Sequence, residues 1–159
     1  MTRDEFEAYV KSSQKGLRRF LTALCCGDSQ LADDIAQDTY IKAYLSCDSF
    51  RDPSKFTAWI FRIGYNTFLN SRRSRRVHSG YDDISGMPAD EFSDGAFQYQ
   101  ELYTALERLN DNERMTLLLY YMQDYSIKEI SGIMEITRDA VRQHLSRGRR
   151  HLHDLIKSK

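Results

Sequence analysis

Residues 137–149, TRDAVRQHLSRGR, crowd Thr137, Arg138, Asp139, Arg142, Gln143, His144, Ser146, Arg147 and Arg149 into one short stretch. These types can hold and read a DNA duplex. A guanidinium donates two parallel hydrogen bonds to guanine, a Gln amide pairs with adenine, and any Arg neutralises phosphate. Arg138, Asp139, Arg142, Gln143, Ser146 and Arg149 are left for the outer face of a helix that turns Ala140, Val141 and Leu145 inward.

Such a helix needs a support. Ser126 and Glu129 fit the S-x-x-E capping pattern and start a helix near Ile127, with Ile130 and Ile133 on the same inner face. Met134, Glu135 and Ile136 make the turn, and Thr137 can cap the second helix. A helix from Thr137 to Arg150 would be about 20 Å long, enough to lie in a major groove. The pattern therefore predicts a helix-turn-helix. An ordinary helical hairpin with a solvated basic face is the simpler alternative.

The rest of the chain is helical in its apolar spacing. Phe6, Tyr9 and Val10 open one pattern, which Leu17, Phe20, Leu21 and Leu24 continue. Ser29 is the expected cap of a second helix with Leu31, Ile35, Ile41, Tyr44 and Leu45. Pro53 and its polar neighbours place a loop at 46–55, and a third helix runs from Phe56 to about Arg73 with Phe56, Trp59, Ile60 and Ile63 on one side. Residues 78–95 hold three of the eight glycines, are acidic, and lack periodicity. They are expected to link two domains, at 1–77 and 96–159. Phe97, Leu102, Leu106 and Leu109 mark a further helix, and Asn110 with Glu113 suggests a capping box for one holding Met115, Leu118, Leu119 and Met122. The fold class predicted is all-α: two small helical domains joined by an acidic linker, the second a helix-turn-helix.

The formal net charge of 0 conceals segregation. Residues 51–76 carry seven basic and one acidic side chain, residues 77–125 two and ten, and residues 126–159 eight and four. Two basic blocks flanking an acidic one suit a polyanionic partner. No apolar run is long enough for a membrane span, and the N-terminus MTRDEFEAYV does not read as a secretory signal. Cys25, Cys26 and Cys47 lack CxxC spacing, which fits a reducing cytoplasm. Their spacing with His151 and His153 matches no usual zinc pattern, so neither a metal nor a cofactor is expected.

Three stretches carry a family resemblance. "DDIAQDTYIKAYL" resembles the acidic-Gln-acidic helix of sigma-70-type initiation factors, and "FTAWIFRIGYNTFLNSRRSRR" is similar to the promoter-melting helix that follows it in those proteins. "LERLNDNERMTLLLYYMQDYSIKEISGIMEITRDAVRQHLSRGRRHL" looks like their C-terminal region 4. The order is right, nearly the whole chain is covered, and the short linker resembles the extracytoplasmic-function (ECF) group.

The resemblance implies a cytoplasmic subunit without catalytic residues that docks on core RNA polymerase. It implies promoter DNA as a second partner, taken as single strand at the −10 element and as duplex at the −35 element, and an anti-sigma factor as regulator. Residue by residue, Asp34, Gln37, Asp38 and Lys42 match the polymerase-binding motif; their spacing puts them on one helix face. Loop 46–55 matches the segment that captures a flipped −10 base, with Phe50 or Phe56 as a stacking surface. Asn66 matches the same helix motif, and Arg62, Arg72, Arg73, Arg75 and Arg76 supply the cationic track that an unpaired strand needs beside π-faces. The acidic linker would mimic nucleic acid in the polymerase's RNA path, or serve as a soluble spacer. The chain departs from the family at Asn70, where Asp is frequent, at Asn110, where Pro is, at Glu135, where Gly is, and at His144, where a basic residue is. Two rivals stand beside this reading: a stand-alone operator-binding regulator, and a metal-dependent nuclease. The first leaves helix 34–42 and the basic run 72–76 without a joint purpose, and the second lacks a carboxylate or His cluster.

Overall fold

The computed structural model describes residues 1–77 and 100–157, with backbone alone at 74–77. Every regular element among them is helical. Among them, residues 1–22 and 28–77 form one compact unit, and residues 23–27 and 100–157 a second. The linker 78–95 and Phe97 lie outside the described residues.

In the first unit, α1 spans Arg3–Leu24, α2 Ser29–Ser46 and α3 Phe56–Val77. Thr2 and Glu5 cap α1 reciprocally, each backbone N–H donating to the other's side-chain oxygen at 3.1 Å. Phe6, Leu17, Phe20 and Leu21 form its buried face, and Phe20 meets Phe61 of α3 edge-on at 4.7 Å. The cap of α2 is Asp28, not Ser29: its carboxylate accepts from Leu31 N at 3.1 Å. A charged cap gains from the helix dipole as well as the hydrogen bond.

The inner face of α2 also differs from expectation. Ala32, Ile35, Ala36, Thr39 and Ala43 are buried, whereas Ile41, Tyr44 and Leu45 are exposed by 57%, 39% and 77%. Small residues let α3 come close. A Cβ on Gly64 would sit 3.6 Å from Thr39 Oγ1. The larger apolar side chains of α2 are thereby left on the outside. Short 3-10 turns, Cys47–Ser49 and Pro53–Lys55, join α2 to α3. There the hydroxyl and then the backbone N–H of Ser54 donate to Asp52 at 2.7 and 3.1 Å, holding its carboxyl below the usual range.

In the second unit, α4 spans Gln100–Glu107 and α5 Asp111–Leu117, which runs into a π-helical turn at Leu118–Met122. Asn110 accepts from Glu113 N at 2.8 Å, but the expected box is half-formed. The Glu113 carboxylate is buried and lies 3.1 Å from His151 Nδ1 instead. Arg114 is buried too, and its guanidinium donates to the Leu106 and Leu109 carbonyls at 2.9 and 3.3 Å, fastening the segment that follows α4. Met115, Leu117, Leu119, Ile130, Ile133, Val141 and Leu145 make the core of this unit.

Candidate DNA-binding and docking surfaces

The helix-turn-helix is α6, Ile127–Met134, and α7, Arg138–Lys157. Ser126 and Glu129 form the expected reciprocal cap at 2.9 and 3.1 Å. Glu135 takes the left-handed conformation, φ 58° and ψ 45°, and Ile136 N–H returns to Ser131 O at 3.2 Å. This is the Schellman closure, with Glu where Gly is cheapest. The Thr137 hydroxyl accepts from Ala140 N at 3.0 Å and caps α7. Val141 and Leu145 are buried as expected, Ala140 only partly, and Gly148 extends the line. A Cβ on Gly148 would fall 3.0 Å from Leu117 Cδ1, so α7 approaches α5 closely there.

Thr137, Arg138, Asp139, Arg142, Gln143, Ser146, Arg147 and Arg149 are exposed on α7, and His144 is half-buried. Besides the Thr137 cap, three of these already have partners. Arg142 Nη1 lies 2.8 Å from Asp139 Oδ1. Arg149 Nε donates to Tyr121 Oη at 2.6 Å, and its guanidinium carbon stands 5.6 Å from the ring centres of both Tyr120 and Tyr121. The π turn thus presents two tyrosines to the recognition helix. Nothing in the sequence pattern pointed to that contact.

On the first unit, Phe50 stacks on Trp59 with centroids 4.2 Å apart and planes 12° apart. Phe56, the other aromatic considered for stacking, is 2% exposed and meets both edge-on. It is core, which leaves Phe50 and Trp59, both half-buried, as the accessible pair. Asn66 and Arg73 are exposed, and Arg62 and Arg72 partly so. Arg72 lies over the Phe68 ring at 5.7 Å. The side chains of Arg75 and Arg76 lie outside the described residues.

Asp34, Gln37 and Asp38 are exposed on α2. Ile41 and Leu45 continue the same stripe, since 34, 38, 41 and 45 recur at helical spacing. Lys42 turns back, its ammonium donating to Thr67 Oγ1 at 3.2 Å. The apolar half of this surface was missed because Ile41 and Leu45 look like core residues in sequence. Among the described residues no three His, Cys, Asp or Glu side chains gather to hold a metal ion, and no helix is long and apolar enough to cross a membrane.

Comparison with known proteins places the chain in a family. The sigma-70 region 2 profile matches residues 9–77, and the sigma-70 region 4 profile matches residues 99–152. The chain is 31% identical over 158 residues to the ECF RNA polymerase sigma factor SigM of Bacillus subtilis, covering 96% of this chain and 93% of that one. It is 28% identical to the ECF RNA polymerase sigma factor EcfG of Rhodopseudomonas palustris, covering 97% and 84%. Among solved structures, the sigma factor RpoE of Bartonella quintana, crystallised with the anti-sigma factor NepR, superposes with a TM-score of 0.79 at 26% identity over 98% of both chains. CnrH, in complex with the cytosolic domain of CnrY, shares the fold with a TM-score of 0.73 at 22% identity, over 97% of this chain and 88% of that one. The chain belongs to the sigma-70 family, in its ECF group of RNA polymerase sigma factors.

Proposed function

We propose that this chain acts in the cytoplasm by binding alone, docking on core RNA polymerase and selecting promoters through two DNA contacts. The domains are 1–77 and 96–159, joined by the linker 78–95. The observation that carries the reading is the outer stripe of α2. Asp34, Gln37 and Asp38 lie exposed beside Ile41 and Leu45, 57% and 77% exposed. An apolar patch rimmed by carboxylates and an amide is the composition of a protein interface. Lys42 contributes by orienting α2 on α3 through Thr67.

DNA is held at two places. The exposed face of α7 enters the −35 duplex, with Arg142 and Gln143 reading bases, Asp139 and His144 tuning that choice, and Arg138, Arg147, Arg149, Thr137 and Ser146 placed for the backbone. Phe50 with Trp59 offers a π-surface to an unpaired −10 base, and Arg62, Asn66, Arg72, Arg73, Arg75 and Arg76 track its strand. Each contact is weak alone. Mounting both on one polymerase raises the effective concentration of the second once the first has formed. Base capture favours the melted promoter because only that state exposes the base. An anti-sigma protein is the expected regulator, as the neighbouring structures with NepR and CnrY are complexes of that kind.

The test is reconstitution with bacterial core polymerase followed by run-off transcription from genomic fragments. Specific start sites that depend on the chain are expected. Absence of association with core polymerase, together with tight symmetric operator binding by the free chain, would replace the reading with a stand-alone regulator.

A further inference from the structure

The outer face of α1 carries a basic row that neither the polymerase face nor the two DNA contacts absorb. Lys11, Lys15, Arg18 and Arg19 recur at helical spacing opposite the buried Phe6, Leu17, Phe20 and Leu21, and all four are exposed. They extend over about 12 Å of helix. Arg18 has a distant partner, Asp33 at 3.8 Å. Among the described residues, Lys11, Lys15 and Arg19 have no ion pair or hydrogen bond through their side chains.

Local structure explains only the edges of this row, where Glu7 sits one turn before Lys11 and Asp33 lies beside Arg18. Lys11 with Lys15, and Lys15 with Arg19, are like charges one turn apart, which destabilises a helix. The helix dipole favours cations in the last turn only, and the last turn of α1 has none. We propose that the row is a third nucleic-acid contact, taking the phosphate backbone of promoter DNA without reading its sequence. The occupant is argued by contrast within the same unit. The outer face of α2 carries Ile41 and Leu45, the apolar anchors that a protein partner requires. Beside the α1 row stand Glu7, one turn before Lys11, and Ala8, Ser12, Gln14 and Gly16, all exposed and none of them a large apolar side chain. Cations without anchors suit a polyanion, whose binding comes from counterion release and needs no apolar fit.

The inference rests on the promoter-binding role proposed above, and its test separates the two. Polymerase holoenzyme would be assembled with the wild-type chain and with a Lys11→Gln, Lys15→Gln, Arg19→Gln variant. Fluorescence anisotropy in a salt series would use a duplex carrying a start site found by run-off transcription, and a scrambled duplex of equal length. Three lost phosphate contacts at about 0.9 each lower the salt slope by up to about 2.7. Between 50 and 200 mM salt the wild type should then lose about 40-fold more affinity than the variant. The change should be equal on both duplexes, with core binding and helicity retained. A wild-type holoenzyme that does not select the start site overturns the functional reading and this inference with it. A selective wild type with an unchanged slope in the variant overturns this inference alone. So does a variant that keeps its slope but loses core polymerase or an anti-sigma protein, which would assign the row to a protein.

Discussion

Asp139 lies on the recognition helix with its carboxylate 2.8 Å from Arg142, and removing it is a sharp test of how α7 meets DNA. The pair is exposed, at 58% for Arg142 and 90% for Asp139, so it is worth about 0.2–1 kcal/mol at most. A bidentate contact from Arg142 to guanine is worth about 1–3 kcal/mol. The guanidinium must loosen or share its carboxylate partner before it donates to a base. Asp139→Ala removes that competition and one negative charge facing phosphate. Affinity for the −35 duplex should rise by about 0.2–1 kcal/mol, up to about fivefold. Arg142→Ala should lower it by about 1–3 kcal/mol, roughly 5- to 150-fold, and relax preference at one base pair. In the double variant the gain from losing Asp139 should shrink, because the arginine it restrained is gone. Competition anisotropy with the full chain, at fixed salt and against every single-base variant of the duplex, measures all three. If Asp139→Ala weakens binding and shifts preference at a C·G pair, then Asp139 itself accepts from a base. Its contact with Arg142 would then be a shared recognition unit, and the restraint argument would be wrong.

Other perturbations probe the remaining surfaces. Asp38→Arg places a cation on the exposed acidic stripe of α2 and should abolish co-purification with core polymerase; retained co-purification would remove Asp38 from the interface. Leu45→Ser, at a side chain 77% exposed, should weaken the same association at least tenfold while leaving thermal stability unchanged. Phe50→Ala deletes the face stacked on Trp59 and should lower affinity for −10 single strand by about 1–3 kcal/mol, read by anisotropy with the holoenzyme. Gly132→Ala should stabilise the second unit by about 1 kcal/mol, because a Cβ there meets nothing within 4 Å and α6 gains helix propensity; calorimetry that shows no rise in its transition would contradict this.

How far the sequence disclosed this molecule depended on residue size and charge. The helix-turn-helix was legible because its cues are local: Ser126 and Glu129 cap one helix, Thr137 caps the next, and large apolar residues face inward. The inner face of α2 was not, since Ala32, Ala36, Thr39 and Ala43 give a weak apolar signal, while Ile41 and Leu45 give a strong one on the wrong side. Arg114 and Glu113 were equally opaque. A charged residue suggests surface, and its burial is decided by distant partners, the carbonyls of α4 and the ring of His151. The π turn at Leu118–Met122 has no sequence signature at all, so the meeting of Tyr121 with Arg149 could not be foreseen. The candidate site was thus readable as a list of residue types, but not in the restraints on those residues.

The clasp of Tyr120 and Tyr121 on Arg149 has a thermodynamic consequence. A mobile arginine surrenders up to about 2 kcal/mol of rotamer freedom when it settles on a ligand. Arg149 has given up much of that freedom when the domain folds, so its encounter with a phosphate begins from an aimed donor. Calorimetric titration of a Tyr121→Phe variant should therefore show a more unfavourable entropy of association, with the difference confined to that one side chain.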